Sequence, residues 1–327
     1  MLALREGPVW GLFDDSHMQP DMDRQYFAQH EPSLAEMTAK AIDLLSQNKA
    51  GFFLMVEGSQ VDWAGHNNDP VYMIEDFLAF DDAVKVACDF AETDGRTLVL
   101  AFPDHNTGGM KIGHYTTAMG YTETTVEDLV EPLKGMKITS GGLVTMMKNS
   151  DDDGELKTKA AEYWGLALSD GDLEEIRLLE PSVGLNYALA RVVSKNHTAI
   201  GWTTHGHNGE TVPVWIHGAD APVGIIDNTD LAYMAAEAMH ADLERISDLL
   251  YVDLDEAGIA FTVDRLDPEN PILVTNGAKL PVSKDYMIIE KRNGKRQQIQ
   301  LPGLTVYAPH TDKYYLSMEA IKLLNRM

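Results

Sequence analysis

Two carboxylates and a histidine, Glu57, Asp62 and His66, stand directly behind the apolar run FFLMV in the stretch FFLMVEGSQVDWAGH, residues 52–66. A short, wholly apolar run predicts a buried strand. In open α/β sheets, functional groups gather just beyond the carboxyl ends of the strands. Asp62 and His66 are four residues apart, so a helix after Gly58 would set them on one face, where a carboxylate oxygen and an imidazole nitrogen can share a cation such as zinc. A second cluster, Asp104 and His105 in PDHNTGG, follows the apolar run RTLVLAF. Neighbours within a strand point to opposite faces, so both can hold one ion only where the strand has ended. Pro103 predicts that ending. A third cluster, His205 and His207 in WTTHGHNGETVPV, occupies a glycine-containing turn before another strand. Three such clusters at strand edges predict a site for divalent cations, which offset the local negative charge.

Helices and strands must alternate to deliver these clusters. Helical spacing over PSLAEMTAKAIDLLSQN (32–48) leads into the run at 52–56, and helical spacing from Val71 ends at Gly95 before RTLVLAF. Two buried strands joined by a helix predict a βαβ unit in a parallel sheet. The character then changes: short amphipathic segments, TVEDLVEPLKG, TKAAEYWGLAL and DLEEIRLLE, are separated by Gly, Ser and Asp. The sheet pattern returns at HTAIGWTTHG and TVPVWIHG, followed by a closing helix, DLAYMAAEAMHADLERISDLL. FTVDRL, PILVT, DYMIIEKR and QQIQLPGLTVYAP then predict short strands. The expected architecture is an α/β fold with a central, mostly parallel sheet flanked by helices. Residues 1–110 and 196–247 form its core, 111–195 a mostly helical insertion, and 248–327 a small β-rich C-terminal appendage.

Composition narrows the function classes. The chain has 327 residues, and 44% hydrophobic content is ample for a sizeable core. Its 51 acidic against 26 basic residues give a net charge of −25, which repels nucleic acid and anionic membranes and attracts divalent cations. The single cysteine, Cys88, lies in an apolar-periodic helix and reads as core filler, as do the methionines. The opening MLALREGPVWGLFDD lacks the basic flank and apolar stretch of a signal peptide, and no run of about 18 apolar residues occurs. The chain therefore reads as soluble with no visible address. His114 and His217 read as turn or surface residues. His205 reads as a turn residue or one that orients a ligand. NSDDDGE around Asp151 lacks calcium-loop spacing and reads as a solvated turn.

The motifs MVEGSQVDWAGH, PDHNTGG and HGHNGETVPV resemble, in order and in placement on the sheet, the metal-binding motifs of alkaline phosphatases, especially bacterial ones with Trp after the zinc-binding aspartate. EPSLAEMTAKAIDLLSQNKAGFFLMVEG and PVGIIDNTDLAYMAAEAM extend the likeness over roughly residues 8–240. The resemblance implies two zinc ions and one magnesium. Asp62, His66 and His207 would hold one zinc, Asp104 and His105 the second, and Glu57 the magnesium. It further implies a small-molecule phosphate monoester as substrate, a homodimer, and a periplasmic or secreted location. Trp63 would either shape the phosphate pocket or pack in the core.

In that family a serine becomes transiently phosphorylated. The serine, an aspartate bridging the second zinc and magnesium, further magnesium ligands and a phosphate-gripping arginine belong upstream of the segment matching VWGLFDDSHM. No catalytic nucleophile is therefore expected in this chain, and Ser16 reads as a loop residue. Phe102-Pro103 replaces the usual Thr-Ala before the second zinc motif, and Asn106 stands where Glu often follows it. Three readings follow: an alkaline phosphatase without roughly its N-terminal third; a noncatalytic metal-binding fragment or the second half of a split enzyme; or a phosphodiesterase or sulfatase relative.

Overall fold

Side-chain capping decides where the first long helices begin. The Ser33 hydroxyl accepts from the Glu36 amide while the Glu36 carboxylate accepts from the Ser33 amide, a capping box that satisfies two otherwise orphaned donors. Asp69 caps the next long helix by accepting from Tyr72, with Pro70 at the first helical position, and Gly95 ends that helix in the left-handed region. The computed structural model describes residues 5–114, 122, 124–148, 150–218, 223–275, 277–291 and 293–326. Residues 115–121, 123 and 149 of the expected insertion lie outside the described residues. The chain divides into two units, Met1–Gly224 and Ile225–Met327.

The first unit begins with α1 (Arg24–Phe27), α2 (Leu34–Leu45), α3 (Gln60–Asn67) and α4 (Pro70–Asp94), followed by β1 (Val99–Ala101), β2 (Asn106–Thr107) and β3 (Lys111–Ile112). The helices α5 (Val126–Lys134), α6 (Ser140–Met146), α7 (Asp153–Trp164), α8 (Asp170–Val183) and α9 (Leu185–His197) come next, and β4 (Ile200–Gly201), β5 (His207–Asn208) and β6 (Trp215–His217) complete the unit. The strands pair in nested fashion, β1 with β6, β2 with β5 and β3 with β4. Segments 99–112 and 200–217 thus run antiparallel to each other, with Leu100 opposite Ile216, Thr107 opposite His207 and Ile112 opposite Ile200. The helices α5–α9 leave this ribbon at β3 and return to it at β4.

The parallel ladder that the two apolar runs predict is absent among the described residues, where every ladder is antiparallel. Phe52–Val56 carries no ladder, and Phe53 is 65% and Met55 74% exposed. An all-apolar run reads as a strand covered on both faces, whereas this one alternates between covered and open positions.

The unit's apolar core gathers Ile138, Leu143, Leu156, Ile176 and Leu189 from the α5–α9 segment, all fully buried. Helix α9 packs on α6 and α8 and also on α3, and α3 packs on α4 and on β2. At the α3–β2 contact the backbones nearly touch. A Cβ added at Gly65 would lie 2.7 Å from the Thr107 carbonyl oxygen, and one at Gly108, which has φ +78°, would lie 2.7 Å from the Gly65 carbonyl.

Buried carboxylates make a second set of ties. Asp23 accepts from the Thr139 amide (2.9 Å) and hydroxyl (2.6 Å), and Asp69 accepts from the Ser140 amide (2.8 Å), so both hold the start of α6. Asp76 accepts from the Asp21 amide at 3.1 Å. Burial pushes the Asp23 carboxyl up to about 6, against the pull of the Thr139 hydrogen bonds, and pushes Asp76 up to about 7, with the Asp21 and Asp23 charges adding to it. Asp69 is also raised by burial.

The second unit consists of α10 (Asn228–Ala238), α11 (Leu243–Leu250), β7 (Tyr251–Asp253), β8 (Phe261–Asp264), β9 (Ile272–Thr275), β10 (Ala278–Pro281), β11 (Tyr286–Glu290), β12 (Arg296–Gln300), β13 (Val306–Ala308), β14 (Lys313–Ser317) and α12 (Met318–Leu324). Strands β8–β12 form an antiparallel meander and β13-β14-β7 a second sheet, around fully buried Leu254, Leu273, Leu280 and Leu316. The single closing helix expected over 230–250 is two helices. His240 takes a positive φ of 54°, and Asp242 starts α11 by accepting from the Arg245 amide. Both helices fall in the second unit. Among the described residues no helix is long and apolar enough to cross a membrane.

Two outcomes follow from this packing. Asp23 and Asp76 have folded pKa values above the ordinary 3.8, so the native state binds more protons than the unfolded chain between about pH 4 and pH 7, and stability falls as pH rises through that window. Asp76→Asn, whose amide oxygen still accepts from Asp21, should raise stability at pH 8 by on the order of 2 to 4 kcal/mol while changing little at pH 4. Urea midpoints at the two pH values measure this, and parallel profiles for variant and parent would refute it. Gly65→Ala should cost about 1 to 3 kcal/mol in the same assay, because its methyl group meets backbone rather than a yielding side chain.

Candidate metal centre

Helix α3 ends at Asn68, which adopts a left-handed conformation with φ 54°. The Asn68 side chain donates to the Gly65 carbonyl at 2.8 Å and to the Thr204 carbonyl at 3.0 Å, stitching the end of the helix to the loop before β5. From the other side, the Gly108 amide donates to Gly206, and the Thr203 and Thr204 amides donate to Gly108. These ties bring α3, β2 and β5 to one point.

Three donors converge there. Asp62 Oδ2 is 3.5 Å from His66 Nε2, and Asp62 Oδ1 is 3.6 Å from His207 Nε2. The ligand atoms of the three residues lie within 4.8 Å of one another. A tetrahedral zinc ion with bonds of about 2.0 to 2.2 Å holds neighbouring donors about 3.3 to 3.6 Å apart; each imidazole lies near that spacing from one of the two Asp62 oxygens, Oδ2 for His66 and Oδ1 for His207. The protonation pattern fits as well. His66 Nδ1 is 2.7 Å from the His205 carbonyl, which can only accept, so the proton sits on Nδ1 and the Nε2 lone pair is free to ligate.

A second donor pair adjoins the first. Asp104 and His105 lie in the bend just before β2, with His105 Nε2 at 3.2 Å from Asp104 Oδ2. The His105 ring stacks on His207 with centroids 3.6 Å apart and planes 24° from parallel. Glu57 is exposed and stands outside the Asp62–His66–His207 group.

Several neighbours play parts that residue type alone does not disclose. His205 orients a ligand, but through its backbone carbonyl; burial and the nearby Arg191 charge lower the pKa of its imidazole. Thr107 is buried and its hydroxyl contacts both Asp62 Oδ1 (2.5 Å) and His105 Nδ1 (3.1 Å). The one available signal was its place inside PDHNTGG. Asn106 donates to Glu210 at 2.9 Å, as does Lys111, and the Glu210 amide donates to Asn208. The Lys111 hydrogen bond holds the Glu210 carboxyl below its ordinary range. This network clamps the outer edges of both histidine loops.

Trp63 is 44% exposed and its ring lies 4.2 Å from that of His17. Ser16 is exposed, its amide donates to Asp14, and its hydroxyl has no basic partner among the described residues. His114 faces the Thr198 carbonyl at 2.8 Å, and His217 pairs with Val99 in the ribbon. Asp152, within the acidic turn, caps α7.

Comparison with known proteins places this arrangement. The alkaline phosphatase family model matches residues 3–241. Alkaline phosphatase 3 of Bacillus subtilis is 35% identical over 250 residues, covering 75% of this chain and 51% of the relative. Alkaline phosphatase 4 of the same organism is 36% identical over 233 residues, covering 70% and 47%. The chain thus spans about half the length of these curated relatives. Among solved structures, the cold-active alkaline phosphatase of a psychrophilic Shewanella matches with a TM-score of 0.61 at 28% identity, over 73% of this chain and 57% of that one. The Thermus thermophilus alkaline phosphatase shares the fold, with a TM-score of 0.63 at 23% identity over 71% and 53%. With its three motifs converging inside the matched region, the chain belongs to the alkaline phosphatase family and has that family's α/β fold.

Proposed function

We propose that the protein is a metal-dependent phosphatase acting on phosphate monoesters, with Asp62, His66 and His207 holding one zinc ion, Asp104 and His105 a second, and Glu57 a magnesium ion. The observation that carries this reading is the Asp62–His66–His207 triad, whose donors are spaced for one cation. Bound there, the ions would supply a charge clamp for displacement at phosphorus and lower the pKa of an attacking hydroxyl or water. The chain's own residues prepare that site. The His205 carbonyl keeps the His66 proton on Nδ1, the stacked rings of His105 and His207 fix each other's planes, and the Glu210–Lys111–Asn106 network steadies both loops. Trp63, next to Asp62 on α3, is exposed and packs against His17, which supports its expected role of shaping the phosphate pocket over core packing. The same reading takes the working form as a periplasmic or secreted homodimer.

A second reading is a metal-binding portion whose nucleophile comes from another segment or chain. It is favoured by Ser16, whose hydroxyl has no base beside it among the described residues. Zinc content of the purified protein, measured together with turnover of p-nitrophenyl phosphate and of its bis-ester at alkaline pH, separates the readings. Zinc bound with monoester turnover that a chelator abolishes and added zinc restores is expected of the first. Zinc bound without turnover supports the second, faster diester turnover points to a phosphodiesterase, and absence of zinc overturns the metal assignment. Asp62→Ala should lower zinc affinity by at least about 100-fold, because Asp62 faces both histidines of the triad.

A further inference from the structure

We propose that Thr107 is a positioning residue that fixes the tautomer of His105 and couples the two cation subsites to each other. The inference rests on the metal reading above and concerns a residue outside both ligand sets. Thr107 is buried at the end of β2, with its hydroxyl between Asp62 Oδ1 at 2.5 Å and His105 Nδ1 at 3.1 Å.

Proton bookkeeping determines the direction of both contacts. A hydroxyl has one proton to give. An ionised carboxylate accepts only, so Thr107 donates to Asp62. Towards His105 the same oxygen can then act only as acceptor, so His105 Nδ1 carries the proton. The His105 lone pair is thereby left on Nε2, which faces Asp104 Oδ2 at 3.2 Å. Two acceptors at that separation repel each other until a cation lies between them.

The chain Nδ1–H···Oγ1–H···Oδ1 therefore runs from a ligand of one subsite to a ligand of the other. With a cation held on His105 Nε2, the ring's Nδ1–H would be a stronger donor, and the Thr107 hydroxyl would be more strongly polarised towards Asp62. Each occupied subsite thus orders a ligand of its neighbour, and such coupling acts equally in both directions.

The test uses the full chain with Thr107→Val, which keeps shape and loses the hydroxyl, and Thr107→Ser, which restores it. In metal-free protein at pH 8, ring ¹⁵N shifts should report His105 protonated on Nδ1 in the parent and the Ser variant, and no longer fixed there in Thr107→Val. In zinc titrations against a chromogenic chelator, Thr107→Val should lose about 10- to 100-fold in affinity. Its two binding steps should also separate from each other, with both effects reversed by Ser. If the parent binds two zinc ions and Thr107→Val matches it in tautomer and in both steps, the inference falls while the metal reading stands. If the parent binds none, the metal reading falls first. A Val variant that loses affinity but keeps the Nδ1 tautomer would leave Thr107 a packing residue and overturn the proposal.

Discussion

The site depends on how closely the backbone of α3 can approach the backbone of β2. Gly65 lies against the carbonyl of Thr107, and Gly108 lies against the carbonyl of Gly65, each at a distance that leaves no room for a side chain. Only at that separation can Asp62, three residues before Gly65 on the helix, reach the hydroxyl of Thr107 and the ring of His207. Gly108 carries a further demand, because its φ of +78° is one that residues with a Cβ rarely adopt. The glycines in PDHNTGG and VDWAGH thus set the distance between Asp62 and the two histidine loops.

Around this contact the fold is tied from three sides. The antiparallel pairing of 99–112 with 200–217 sets Thr107 opposite His207, so the second and third motifs confront each other by register rather than by loop chance. Asn68 pins the end of α3 to the Thr204 carbonyl. Behind the helix, α9 brings the apolar core of the α5–α9 segment against it, while Asp23 and Asp69 hold the start of α6 by charge-assisted bonds. Keeping these carboxylates out of water has an energetic cost, visible in their raised pKa values. That cost is offset by backbone and hydroxyl donors that would otherwise be unpaired.

Part of the candidate site was legible in the sequence because carboxylates and histidines clustered in three short motifs stand out by residue type, although Asp62 and His66 lie on α3 rather than at the end of a strand. Asp62, His66 and His207, singled out by their motifs, come together in the fold, and His105 stacks on His207. The supporting residues were not legible for a physical reason. A threonine hydroxyl or an asparagine amide is used everywhere in proteins, and Thr107 and Asn68 acquire their roles only from partners far away in the chain. His205 shows the limit most clearly: its side chain drew attention, while its peptide carbonyl makes the orienting bond. The helix boundaries followed caps and glycines that could be read directly. The break at His240 did not, since apolar periodicity continues across it. The antiparallel pairing also escaped, because an apolar run shows that a strand is covered but not which way its neighbour points.

The nesting of β3 with β4 closes the base of the α5–α9 segment as a stem, with Gly113 donating to Ala199 at 2.6 Å just beyond the last paired residues. Everything distal to that stem enters and leaves the protein at one place. A closed stem separates the register of the ribbon from the length of the connections within that segment, while the packed helices α6 and α9 stay tied to the core that α9 sets against α3. A change of length in the connections of this segment, away from the contacts of α6 and α9, therefore leaves Thr107 facing His207 across the ribbon.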